Sequence, residues 1–121
     1  MANRRELLNV PNKAEEHMAQ ALASAGVVHT KQYAMRYRGK DYFIDIVAEF
    51  DGAMVAIEID GGHHMTPAGQ YKDRKKDHAI LTSGECCCVL RYSWKQCLAT
   101  TKETIRTDLK NAIPGTVIVR Y

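Results

Sequence analysis

Apolar residues along this chain follow a helical spacing first, then a strand spacing, then alternate between the two. Ala14, Met18, Ala21, Leu22 and Ala25 recur at three- and four-residue intervals, so they share one helical face. Asn12, with Glu15 three positions later, has the pattern of a capping box, and Gly26 is a stop signal. The spacing therefore predicts a helix opening at Asn12, with residues 1–11 as a flexible polar lead. Strand-like runs follow at Tyr33–Tyr37, Tyr42–Phe50 and Ala53–Asp60, joined by turns at Arg38-Gly39-Lys40 and Asp51-Gly52. The third run is apolar almost throughout, as in a strand covered on both faces. Gly61-Gly62 ends it and begins a mobile stretch through Gly69. Gln70–Ser83 predicts a charged helix stopped by Gly84, and Cys86–Tyr92 a buried strand. Trp94–Ala112 predicts a second amphipathic helix with Leu98, Ile105, Leu109 and Ile113 inward. Pro114-Gly115 breaks it, and Thr116–Tyr121 has strand propensity. Strands interleaved with helices predict a single α/β domain over residues 1–121.

The length of 121 residues supports one core, and 45% hydrophobic with 26% charged residues places the chain among ordinary globular proteins. No apolar run is long enough to span a bilayer, and Met1-Ala2-Asn3-Arg4-Arg5-Glu6 leads into no signal-peptide core. A cytoplasmic protein without a membrane partner is the expectation. The net charge of +3 is compatible with nucleic acid without requiring it. Cys86, Cys87 and Cys88 are adjacent, so on a strand they point to alternate faces and cannot form paired zinc hooks with Cys97. They read as small buried hydrophobes.

The chemistry concentrates in two acids. Asp45 stands between Phe43-Ile44 and Ile46-Val47, and Glu58 between Ile57 and Ile59. A buried carboxylate costs several kcal/mol unless something pairs with it. Two on neighbouring strands suggest a shared hard cation, of the kind used to cut phosphodiesters. An alternative for Glu58 is a buried ion pair, for instance with Arg91. Asp60 is open between binding a second ion, orienting a water, and serving as a turn acid before Gly61-Gly62. Lys72, Arg74, Lys75 and Lys76 form the densest basic cluster and would neutralise phosphates. Arg36, Arg38 and Lys40 form a second basic patch, interleaved with Tyr33, Tyr37 and Tyr42, suited to a phosphate or a base.

In this order the elements resemble the PD-(D/E)XK nuclease superfamily, and more narrowly its compact branch with the very-short-patch-repair and EDxHD homing endonucleases. The resemblance runs from about Asn12 to Leu109. It rests on Glu15 in the first helix, Asp45 on a strand, Ile57-Glu58-Ile59-Asp60-Gly61-Gly62-His63-His64, Lys76-Asp77 on the charged helix, and Val89-Leu90-Arg91-Tyr92. It implies a restriction-endonuclease-like core, a central mixed β-sheet flanked by helices. It also implies a divalent-metal-dependent endodeoxyribonuclease, with Mg2+ (or Mn2+ in its place) on Asp45, Glu58 and the Ile59 carbonyl. His64, or its neighbour His63, would handle a proton, Asp77 would orient a histidine, and Glu15, or Glu16 in another helix phase, would reach the metal through a water. DNA is favoured over RNA as the partner, with a homodimer or a larger specificity partner open. The chain departs from the superfamily pattern at Asp60, where a lysine is usual, leaving the histidines and the basic helix as substitutes. A fold kept for nucleic-acid binding without catalysis, or a subunit active only with a partner, is the alternative.

Overall fold

The computed structural model describes the backbone of residues 4–61 and 66–121, and within that span the side chains from Asn12 onward. Among the described residues, nine elements follow one another: α1 (Arg4–Ser24), β1 (Val28–Tyr37), β2 (Lys40–Phe50), β3 (Ala53–Asp60), α2 (Pro67–Ser83), β4 (Cys88–Ser93), α3 (Trp94–Ala99), α4 (Lys102–Lys110) and β5 (Val117–Arg120). The strands form one sheet in the order β1-β2-β3-β4-β5. β1, β2 and β3 are antiparallel neighbours, whereas β3–β4 and β4–β5 are parallel. The protein is thus α/β, a five-stranded mixed sheet flanked by helices.

Hairpin turns set the antiparallel half. Arg38 and Gly39 have φ of 50° and 77°, and Asp51 and Gly52 have 49° and 79°. Left-handed backbone at both central residues is the type I′ geometry that matches strand twist. The parallel half needs crossovers. α2 makes one on one face, and α3 with α4 makes the next on the other. Two cores result. Met18, Leu22, Ile46, Ile57, Leu90, Cys97 and Ile105 pack between the sheet and α1, α3 and α4. Met35, Ile44, Val47, Ala56, Ile80 and Val89 pack between the sheet and α2.

Three expectations are corrected. The first helix does not open at Asn12. It runs from Arg4, so Asn12 and Glu15 lie inside it, and residues 1–11 are not a uniformly unstructured lead. The buried stripe Ala14, Met18, Ala21 and Leu22 is as the spacing predicts. Gly26, at φ 73°, closes the helix with Val27 N–H donating to the Leu22 carbonyl at 2.9 Å. The long helix over Trp94–Ala112 is two helices, because the Thr101 and Thr104 side chains cap each other's backbone and start α4 afresh. The break resets the helical phase. Cys97, Ile105 and Leu109 are buried, while Leu98 and Ile113 are exposed. Thr66 to Gly69, expected within a mobile stretch, instead start α2, because Thr66 caps the helix by accepting from Gly69 N–H and Pro67 occupies its first turn. All four cysteines are free, and Cys86, Cys88 and Cys97 are buried. Burial pushes the Cys86 and Cys97 thiols up to about 12, so they stay protonated. Among the described residues, no helix is long and apolar enough to cross a membrane.

Candidate active site

Asp45 sits where β2 parts from its neighbours. The β2–β3 register pairs Ile46 with Ile57 and stops there, one step short of setting Asp45 opposite Glu58. On the other side, pairing with β1 skips Asp45 and Gln32, and Gln32 has φ 52°. Ile44 packs on the α2 side and Ile46 on the α1 side, although a regular strand would place them on one face. The strand therefore turns over at Asp45. The carboxylate replaces the lost ladder contact: its Oδ2 accepts from Ile59 N–H at 2.8 Å. This bond fixes Asp45 against the strand that carries Glu58.

Glu58 is on the α2 face of β3 and only 3% exposed. The Lys76 ammonium from α2 lies 2.9 Å from its Oε1. Among the described residues, Oε1 has this ion pair and no further hydrogen-bond partner. Burial raises the Glu58 carboxyl to about 8; Lys76 pulls it down, and the neighbouring Asp45 charge pushes it up. The ion pair that Glu58 makes is thus with Lys76 and not with Arg91. Lys76, expected among the phosphate-binding cations, is turned inward onto the acid. Its spacing held the signal: it precedes the buried Ala79 and Ile80 by three and four residues.

A raised carboxyl has a consequence for stability. Below pH 4.5 folded and unfolded chains both carry the proton. Between there and about 8 only the folded chain keeps it, so stability falls as pH rises through this window. The loss is at most on the order of 5 kcal/mol. The thermal midpoint should therefore fall from pH 5 to pH 8, and Glu58→Gln should flatten the fall. A cation that binds the ionised acid should raise the midpoint more at pH 8 than at pH 5. Melting curves at both pH values with Mg2+ or EDTA measure this, and an identical slope in Glu58→Gln would count against it.

Next along β3, Asp60 is held from both sides. Arg91 Nη1 donates to its Oδ1 at 2.7 Å, and the Tyr121 hydroxyl donates to Oδ2. Arg91, 3% exposed on β4, also donates through Nε to both oxygens of Asp77 at 3.0 Å and through Nη2 to Oδ1. Its Nη1 lies 3.5 Å from Asp73. Burial alone would lower Arg91, but Asp77 and Asp60 hold it charged. Burial keeps Asp77 above the usual carboxylate range against the pull of Arg91. Asp60 is thus paired with Arg91 and Tyr121, and Asp77 with Arg91, the partners these acids have among the described residues. The sequence reading named Arg91 as a possible partner of Glu58 and within Val89-Leu90-Arg91-Tyr92 but gave it no link to Asp60 or Asp77, although a charge within the apolar run Cys86–Tyr92 is the same signal that singled out Asp45. Gly61 is required after Asp60, because a Cβ there would meet the Trp94 ring at 2.8 Å.

Glu15 accepts from the Gln32 side-chain amide at 3.3 Å through both oxygens. Gln32 stands across from Asp45, so Glu15 braces the strand split and does not cap a helix. Arg36 pairs with Asp41 at 3.0 Å on the far side of the hairpin, away from α2. Arg38, Lys40, Arg74 and Lys75 line one groove of about 450 Å3 with Tyr37, Tyr42 and Tyr71. Lys72 and Lys76 line its continuation. A larger cavity, about 600 Å3, lies beyond α2 over Arg91, Val117 and Val119, without Glu58 or Asp45 in its lining. His63 and His64 lie outside the described residues.

Asp45 and Glu58 each present carboxylate oxygens, the donor type that a hard divalent cation takes, with Asp45 already accepting from Ile59 N–H and Glu58 already paired with Lys76. No cluster of three or more His, Cys, Asp or Glu with metal-binding geometry exists among the described residues.

No family model matches this chain, and no curated protein matches it. A solved structure, "Crystal Structure of Protein of Unknown Function AF1548", is similar at a TM-score of 0.53 and 14% identity. The match covers 88% of this chain and 56% of that one, so this chain spans little more than half of the neighbour's length. At that identity the likeness shows the α/β fold alone.

Proposed function

We propose that this protein is a metal-dependent nuclease of the PD-(D/E)XK type that hydrolyses phosphodiesters, with DNA as the substrate and the cytoplasm as its setting. One observation carries the reading: Glu58 is a buried carboxylate whose Oε1 is met, among the described residues, by the Lys76 ammonium alone, on the strand to which Asp45 is tied across a split in the sheet. Burial of an incompletely paired acid is unfavourable and is kept where an ion or substrate completes it. Asp45, Glu58 and the Ile59 carbonyl would hold Mg2+, with Mn2+ as a substitute. When bound, such an ion supplies a Lewis acid that lowers the pKa of water and offsets phosphate charge.

The remaining work belongs to side chains. Asp45 is oriented by Ile59 N–H, and Glu15 through Gln32 keeps the split in register. Lys76 takes the place of the lysine missing at Asp60: its ammonium is already beside Glu58 and can meet the charge that grows on a phosphate brought there. Arg38, Lys40, Lys72 and Lys75 hold the backbone of the substrate along the groove.

Supercoiled plasmid incubated with the protein is expected to be nicked in Mg2+ or Mn2+ and left intact in EDTA. Lys76→Ala should slow nicking about 10–100-fold. A second reading, a nucleic-acid-binding module without catalysis, is favoured by the internal neutralisation of Glu58 by Lys76. DNA captured in the groove but uncut in either ion would establish that reading instead.

A further inference from the structure

We propose that the groove between α2 and the β1–β2 hairpin takes an unpaired strand of DNA, with bases on tyrosine faces and phosphates on the flanking cations. This rests on the nuclease reading and names its substrate class. Two cavities, about 450 and 500 Å3, share Lys40, Tyr42, Tyr71 and Lys75, so they adjoin along one row of side chains and form a channel in two compartments. Its end is lined by Lys76, the partner of Glu58. Cavities of this size admit nucleotides one at a time.

Three rings face the channel, each covered by a cation. Arg38 lies 5.3 Å from the Tyr37 centroid, Lys40 5.0 Å from Tyr42 and Lys75 5.5 Å from Tyr71. Tyrosines on strands are ordinary core residues, and Tyr37 and Tyr42 pack partly against the α2-side core. Tyr71 is not: it is on a helix and 57% exposed. An exposed cation–π contact is weak, because water competes for the cation. A base stacked on an aromatic ring is held more strongly. An incoming base therefore displaces the cation from the ring, and the released charge is free for the adjoining phosphate. A duplex keeps its base faces inside its own stack and offers this channel only phosphates and edges, leaving the rings unused.

The test uses Glu58→Gln protein, which should bind without cutting, and a labelled DNA strand of about 15 nucleotides, alone or annealed to its complement. Fluorescence anisotropy in EDTA gives both affinities. The single strand is expected to bind at least about tenfold more tightly than the duplex. Tyr71→Leu should weaken single-strand binding about tenfold and leave duplex binding unchanged, whereas Tyr71→Phe should restore it. Duplex bound as tightly as the single strand, or an equal loss for both in Tyr71→Leu, would overturn the proposal. Metal-dependent nicking together with duplex preference sinks this inference and leaves the nuclease reading intact. Tyrosine-dependent capture of single strands without cleavage does the reverse.

Discussion

Asp45→Ala is expected to lower metal-dependent nicking by about 10²–10³-fold while the domain still folds. Asp45 is half-buried, and its Oδ2 holds one backbone amide, that of Ile59. Its removal leaves that amide unpaired, a cost of about 1–3 kcal/mol, which a domain of this size can absorb. Activity should fall much further than stability, because the same carboxylate is half of the proposed ion site. Glu58→Gln separates the two effects more sharply. It keeps the volume of the side chain, removes the charge that burial disfavours, and should stabilise the fold above pH 7 as it removes activity. Loss of function with a gain in stability marks a residue kept for chemistry. Initial nicking rates, read beside thermal midpoints for each variant, give both quantities. Wild-type nicking by purified Asp45→Ala would place the chemistry elsewhere.

The acids were legible because their signal is local: a carboxylate between apolar neighbours on a strand needs no knowledge of the rest of the chain. The hairpins were legible for a similar reason, since Arg38-Gly39 and Asp51-Gly52 fit the left-handed backbone that their turns require. Non-local pairings were hidden. Arg91 meets Asp60 from β3 and Asp73 and Asp77 from α2, and no spacing along the chain announces that convergence. Lys76 was one of four cations, and only its register against the buried Ala79 and Ile80 distinguishes it. Two local signals also misled. Asn12 with Glu15 has capping chemistry but lies within a helix that had already started, and Glu15 spends its carboxylate on Gln32. The stripe drawn through Leu98 and Ile113 assumed one helical phase, which the reciprocal Thr101–Thr104 cap interrupts.

Arg91→Ala is expected to cost about 3–5 kcal/mol of folding stability, a large share of the 5–15 kcal/mol or so that domains possess. The guanidinium is 3% exposed and joins three layers of contact: Asp60 on β3, Asp77 on α2 and its own place on β4. Its truncation leaves two buried carboxylates, 4% and 8% exposed by residue, with no cation between them. Such acids hold their protons in the fold and lose them in the unfolded chain, so the variant should be weakest at neutral pH and recover as pH falls toward 4. Arg91→Met with Asp77→Leu should regain part of the loss at pH 7, because apolar replacement of both partners avoids the stranded charge. Urea midpoints at pH 5 and pH 7 distinguish this from simple loss of packing, which would cost the same at both. A pH-independent deficit, or one below about 1 kcal/mol, would show that Arg91 fills space between β3 and α2 without anchoring the two acids.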